Sequence, residues 1–222
     1  MFSSPFPKNI SFICGDLSLT KEFNLLSEEE SIAESFDSPK RKAEFIMGRT
    51  VAHLALKKFN LETIPILKNF ETREPCWPKS IFGSITHSGN LAAAAAGLNE
   101  DISGIGIDLE DLSNKINLKI SRHICVDDEL KWLEKFSPEQ ANFNLRIIFS
   151  AKESIFKCFF PISRKYLHYK DAYVTINEKK SEFSFILSTA CSNITDVGYR
   201  NQGHFSVKDN FLLTSIYIKN FP

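Results

Sequence analysis

The sequence predicts an α+β fold in two lobes of similar plan, each a small antiparallel sheet packed on a long helix. Three observations predict it. The chain has 222 residues, about one and a half domains of ~150 residues. Two long helices share a Ser-Pro start, at Ser38-Pro39 and Ser137-Pro138. Each is followed at a distance by a hairpin pattern, so helix then hairpin occurs twice. That order fits a single α+β domain equally well, because no residue-level repeat is visible.

In the first helix, Ser38 caps free backbone N–H groups. Pro39 fits the first helical position, where an N–H is not needed. Ala43, Met47, Val51 and Leu54 recur at spacings of four, four and three and form one apolar face. Asn60 ends the helix. Residues 82–87 and 91–98 flank Ser88-Gly89-Asn90, a turn of small polar residues. The alanine run 92–96 reads from this context as a buried strand, against alanine's intrinsic preference for helix. Residues 102–112 join the lobes, which divide as 1–105 and 106–222. In the second helix Gln140 completes a capping-box pattern with Ser137. That helix runs to about Phe159, with Pro161 as its stop. Residues 204–207 and 211–218 flank Lys208-Asp209-Asn210 as the second hairpin.

Lys plus Arg number 27 and Asp plus Glu 27, so the formal net charge is zero. A protein built to hold duplex DNA needs an electropositive footprint, and no nucleic-acid partner is expected. Hydrophobic residues at 43% and charged residues at 24% are the balance of a soluble globular protein. The five cysteines, Cys14, Cys76, Cys125, Cys158 and Cys191, are odd in number and form no CxxC pair. That argues against a zinc cluster or disulfide framework and for a reducing compartment. The longest apolar run, 91–98, falls far short of the ~20 residues of a membrane span. The N-terminus lacks the apolar core of a secretory signal. A cytoplasmic protein with no required membrane is expected.

Four constellations carry chemistry. Gly104-Ile105-Gly106-Ile107-Asp108-Leu109-Glu110 ends an apolar strand in two carboxylates at i and i+2, which share a face. Asp108 and Glu110 can bind one hard cation, and Mg²⁺ suits few carboxylates plus substrate phosphate; the strand equally fits an acidic surface turn. Phe149-Ser150-Ala151-Lys152-Glu153-Ser154-Ile155-Phe156-Lys157 places Glu153 and Lys157 on one helix face. They read as a surface ion pair, or as charges on a mostly buried helix that need partners. Gly83-Ser84-Ile85-Thr86-His87-Ser88-Gly89 puts a histidine at a hairpin tip, open to an anion or with no role. Lys40, Arg41, Lys42 and Arg49 lie on the first helix, with Arg73 beyond it. Arg41 and Arg49 stand about 80° apart around the helix axis. They can converge on one anion or remain solvated.

Taken in order, RKxExxxGR, REPxWP, GSxTHS, GIGIDLE and FSAKESxFK closely resemble the 4′-phosphopantetheinyl transferases. The likeness is to the large, monomeric, pseudo-duplicated type of the surfactin-synthetase-activating kind, and to its branch serving siderophore synthetases such as the enterobactin system. It spans Arg41 to Lys157. The resemblance implies Mg²⁺-dependent transfer of 4′-phosphopantetheine from coenzyme A to a serine of an apo acyl, peptidyl or aryl carrier protein, releasing adenosine 3′,5′-bisphosphate. It implies Asp108, Glu110 and Glu153 as metal ligands. Lys157 and Lys152 then serve the phosphate being transferred, and Thr86 and His87 the pyrophosphate or 3′-phosphate. Arg41, Arg49 and Arg73 grip the 3′-phosphate and adenine end. The catalytic set is Glu153, Lys157, Lys152 and His87. Glu153 is the candidate base, directly or through metal-bound water, and Glu129 a lesser candidate. Lys115, Lys119, Arg122 and Lys131 are candidate carrier contacts. Phe149 stands where many members have Trp. The rival readings are a non-catalytic carrier-protein- or coenzyme A-binding module of the same fold, and an unrelated Mg²⁺-nucleotide enzyme. Intact carboxylates and Lys157 oppose the first, and no P-loop motif supports the second.

Overall fold

The computed structural model of the chain describes residues 1–113, 115–188 and 201–220; Cys191 lies outside them. The first lobe contains β1 (Ser11–Asp16), α1 (Ser27–Glu34) and α2 (Pro39–Leu56). A short hairpin of β2 (Leu67–Lys68) and β3 (Pro75–Cys76) and a longer one of β4 (Ile81–Ser88) and β5 (Leu91–Leu98) complete it. The second contains β6 (Ile102–Asp111), α3 (Ser121–Ile124), α4 (Asp127–Leu133) and α5 (Pro138–Ser163). It ends in β7 (Ala172–Asn177), β8 (Glu182–Leu187), β9 (Gln202–Lys208) and β10 (Phe211–Lys219). The main sheets run β1-β5-β4 and β6-β10-β9-β8-β7. β6 pairs antiparallel with β10 from Ile102 to Asp111, so a division at 105/106 falls inside one strand of the second sheet.

Both Ser-Pro starts cap as expected: Ser38 Oγ accepts from Arg41 N–H and Ser137 Oγ from Gln140 N–H. The reciprocal half of the second capping box is not made; the Gln140 amide turns along the helix, its Nε2 donating to Asn144 Oδ1 at 3.0 Å. Pro161 does not stop α5; it sits inside the last turn, and the helix ends at Arg164 in the left-handed region, φ +55°. A proline so near the end removes only one main-chain bond, while Phe159 beside it remains buried. The second hairpin turns through positive φ at Asp209 and Asn210, +47° and +67°, the pattern of a tight primed turn.

The alanine run is a strand because it is buried on both faces. Ala92, Ala94 and Ala96 pack with Met47, Val51, Ala55 and Leu56 of α2. Ala93 and Ala95 pack with Ile105, Ile107 and Leu109 of β6. Pairing with β1 and β4 and burial on both sides outweigh the modest helix preference of alanine. Small residues are also what brings β6 against α5. A Cβ on Gly106 would lie 1.9 Å from the Ser154 carbonyl oxygen, so α5 occupies the space a side chain would need.

The lobes meet along a seam of side-chain hydroxyls. Ser84, Thr86 and Ser88 of β4 accept the N–H groups of Ile107, Leu109 and Asp111 of β6 at 3.1, 3.0 and 3.0 Å. Alternate β4 residues face this way, and Ile85 and His87 therefore face α2.

The duplication reaches individual residues. Glu29 of α1 is buried and accepts from Leu26 N–H, Ile66 N–H and His53 Nε2. Glu129 of α4 is buried and accepts from Val126 N–H, Val174 N–H and Lys152 Nζ. In each lobe a glutamate ties the start of its own short helix, the long helix and an extended segment. The described cysteines, Cys14, Cys76, Cys125 and Cys158, are free thiols. Among the described residues no helix is long and apolar enough to cross a membrane.

Candidate active site

The site forms where β6, β4 and α5 converge. Asp108 projects from β6 and is 6% exposed. Its Oδ1 accepts from Lys157 Nζ at 2.7 Å and Thr86 Oγ1 at 3.3 Å, and its Oδ2 from Ser150 Oγ at 2.8 Å. Behind Ser150 lie Thr214 and Ser154, at 2.9 and 2.6 Å along a hydroxyl chain. Lys157 Nζ also donates to the Ile107 carbonyl at 3.2 Å. Two residues on, Glu110 faces Arg146 at 3.6 Å. Burial first, and then the neighbouring Asp108 carboxylate, push the Glu110 carboxyl up to about 7, against Arg146 and Lys157. Glu153 also contributes to that rise, so the three carboxylates share one field.

Glu153 itself accepts from the Tyr169 hydroxyl at 2.5 Å. Among the described residues no three His, Cys, Asp or Glu side chains come together as a group able to hold a metal. The donor chemistry nevertheless fits a hard cation. Asp108 and Glu110 offer hard oxygen ligands from one strand face, the kind a cation such as Mg²⁺ takes.

His87 comes toward the same place from β4. Its Nδ1 lies 4.0 Å from Glu44 Oε2. Burial holds the imidazole below its ordinary value, helped by Lys157 and Arg41 and opposed by Glu44 and Asp108. Asp108 and Lys157 form an ion pair, and their charges and that of the exposed Arg41 are felt at His87. Of these residues Lys157 lines a cavity of about 800 Å³, whose walls also include Arg73, Trp77, Ile105, Phe156 and Tyr166.

Lys152, Glu129, Thr86 and Arg49 make contacts other than those the motifs suggested. Lys152 is buried, donating to Glu129 at 2.6 Å and to the Ile124 carbonyl at 2.8 Å, and does not join the Asp108–Lys157 pair. Its rotation around α5 directs it at α4, and burial pulls its ammonium below the ordinary value despite Glu129. Glu129, with both oxygens taken by these bonds, is a structural hub and not a base. Thr86 is spent on Leu109 N–H and Asp108, so it holds the seam and the carboxylate. Arg41 and Arg49 meet different neighbours. The Arg49 guanidinium is buried over the Phe45 ring at 4.5 Å and donates to the Leu67 carbonyl at 3.4 Å. Its Nε has no partner within the described residues, and burial lowers it to about 10. Arg73 lies at the tip of the β2–β3 hairpin with φ +63°. Of the candidate carrier contacts, Lys115 and Lys131 sit in exposed ion pairs with Glu139 and Asp128, while Lys119 and Arg122 flank exposed Ile120.

The sequence motifs align with known proteins across both lobes. Residues 27–97 match the 4′-phosphopantetheinyl transferase N-terminal domain, and residues 104–204 match the 4′-phosphopantetheinyl transferase superfamily. The chain is 30% identical over 184 residues to the 4′-phosphopantetheinyl transferase PptT of Mycobacterium tuberculosis, covering 81% of this chain and 80% of that protein. The chain belongs to the 4′-phosphopantetheinyl transferase family. This transferase is also 28% identical to Npt of Nocardia iowensis, over 86% of this chain and 87% of that protein. To enterobactin synthase component D of Salmonella typhimurium it is 32% identical, over 54% of this chain and 49% of that protein. Its activity is the transfer of phosphopantetheine from coenzyme A to a carrier protein. Ser150 and Tyr169, which touch the transferase's acidic residues, were missed by sequence reasoning. Ser150 lies inside the FSAKES run, and Tyr169 carries no motif signal.

Proposed function

We propose that this transferase moves 4′-phosphopantetheine from coenzyme A to a serine of an apo carrier protein with Mg²⁺ held by Asp108, Glu110 and Glu153. The observation that carries the assignment is the Asp108–Lys157 pair, with Lys157 also lining the inter-lobe cavity. Bound Mg²⁺ would neutralise pyrophosphate oxygens. Lys157 has a further N–H for the phosphate being transferred. Arg41 and His87 face the leaving adenosine 3′,5′-bisphosphate, with Arg49 and Arg73 as further anion ligands. The unpartnered Arg49 Nε is a donor in want of an acceptor.

In the reaction the serine Oγ forms a bond to the phosphorus next to pantetheine, and the bridging oxygen leaves with its electron pair. Glu153 takes the serine proton. Such transfers depend on positioning and charge neutralisation more than on covalent help. We further infer a monomeric cytoplasmic enzyme whose carrier belongs to a siderophore or other nonribosomal-peptide or polyketide synthase. The likeness to enterobactin synthase component D supports that choice.

The test is to incubate the protein with coenzyme A, Mg²⁺ and apo carriers of each class, and weigh the carriers. A gain of one phosphopantetheine group, abolished by EDTA and restored by Mg²⁺, is expected. No gain on acyl, peptidyl or aryl carriers overturns the reading.

A further inference from the structure

We propose that Tyr169 is a positioning residue that clamps one oxygen of the Glu153 carboxylate and leaves the other for the reaction, an inference that rests on the role given to Glu153 above. Tyr169 opens the 3-10 turn Tyr169–Asp171, immediately before β7. Its hydroxyl donates to Glu153 Oε1 at 2.5 Å, the length of a charge-assisted O–H···O⁻ bond. Its ring lies on Phe149, with centroids 5.6 Å apart and a tilt of 41°. Phe149 and Glu153 are one helical turn apart on α5 and share a face, so a single side chain spans both.

The turn carrying Tyr169 is itself fixed. His168 N–H donates to Asp171 Oδ2 at 2.8 Å, and Ser188 N–H to the Asp171 carbonyl at 2.7 Å. The phenol, on a residue 36% exposed, is therefore presented by a braced segment and aimed by ring contact. Among the described residues nothing else hydrogen-bonds to Glu153, so Oε2 keeps its lone pairs. The carboxylate borders a second cavity of about 310 Å³, shared with His123, His168 and Lys170, while Lys157 one turn on borders the larger one. Phe156 lines both cavities. Glu153 and Lys157 share a face of α5, and the two cavities they border adjoin at Phe156. Which way its free oxygen points decides whether it can serve a reaction beside Lys157. A flexible glutamate samples several rotamers; the phenol removes that freedom.

The experiment compares wild type, Tyr169→Phe, Glu153→Gln and the double variant as full-length protein. Phe keeps the ring on Phe149, so folding is retained and equal melting temperatures are the control. Loss of one hydrogen bond to a charged group corresponds to roughly a ten-fold effect. Tyr169→Phe is expected to lower kcat about ten-fold with KM for coenzyme A unchanged. Mn²⁺ binding, read by electron paramagnetic resonance with coenzyme A present, is expected to weaken by a similar factor. In the Glu153→Gln background the same change is expected to add nothing to the loss of Mn²⁺ affinity. Phe149→Leu, which loosens the ring support but keeps the phenol, gives a smaller loss in the same direction. Equal kcat and Mn²⁺ affinity in wild type and Tyr169→Phe overturn the clamp, as does an equal loss with and without Glu153. Absence of transfer by wild type to every carrier overturns the function, while the Mn²⁺ comparison still judges the clamp.

Discussion

Lys152→Met separates a structural lysine from a phosphate ligand. Lys152 Nζ is buried between Glu129 Oε2 at 2.6 Å and the Ile124 carbonyl at 2.8 Å. Removing one partner of a buried ion pair costs about 3–5 kcal/mol, because the remaining charge is left uncompensated. Two of the three donors to Glu129 are backbone N–H groups, of Val126 and Val174, and they survive the change. Methionine also refills the volume of the lysine stem. The lower end is therefore expected, about 3 kcal/mol, with a fall in melting temperature of roughly 6–12 °C for a chain of this size. Calorimetry reads the first quantity. Steady-state transfer assayed well below the new melting temperature reads the second, and KM for coenzyme A is expected to stay within about two-fold of wild type. An unchanged melting temperature with KM for coenzyme A raised ten-fold or more would refute the structural role. It would put the ammonium on a phosphate, as the motif alone suggests.

Further outcomes are expected at other positions. For Glu29, burial alone would raise the carboxyl, but hydrogen bonds from His53, Ile66 and Leu26 outweigh it and hold it below its ordinary 4.5. A depressed folded value means that its stabilisation is present above pH 4.5 and lost as pH falls through that region. Urea midpoints measured from neutral pH downward should fall less steeply in Glu29→Gln than in wild type, and parallel curves would refute this. Gly106→Ala sets a methyl 1.9 Å from the Ser154 carbonyl and is expected to cost about 3 kcal/mol by forcing α5 off β6; an unchanged chemical denaturation curve would contradict that packing. Arg41→Ala is expected to raise KM for coenzyme A with little change in kcat. A loss confined to kcat would move Arg41 from ground-state binding to the chemistry.

What the sequence made legible was what depends on near neighbours. Ser38-Pro39 and Ser137-Pro138 announce helices because a cap is completed within three residues. Asp108 and Glu110 fall on one side because a strand repeats every two residues. Sidedness across distant elements was less legible. Thr86 and Lys152 carry the chemistry expected of ligands, yet both face inward because their bonds are made with β6 and with Glu129. The repeat was legible as helix then hairpin occurring twice, but not residue by residue, for a related reason. Glu29 and Glu129 do the same work, but one binds a histidine and the other a lysine, so identity is lost where function is kept. Pro161 shows the reverse case, in which a strong local signal gives way because the helix around it is anchored by its buried residues.

The hydroxyl seam between β4 and β6 has a consequence for how such a molecule can change. A continuous backbone ladder would merge the two sheets and make their union indifferent to side chains. Here the join is written in three hydroxyl residues spaced two apart. The exposed rim of β6 is thereby quenched without becoming the interior of a larger sheet. Each lobe retains its own hydrogen-bonded sheet, and the union can be tuned one hydroxyl at a time. Losing one of these hydroxyls would leave a single β6 N–H without its acceptor, while the packing of Ala93 and Ala95 on Ile105, Ile107 and Leu109 still holds the lobes together.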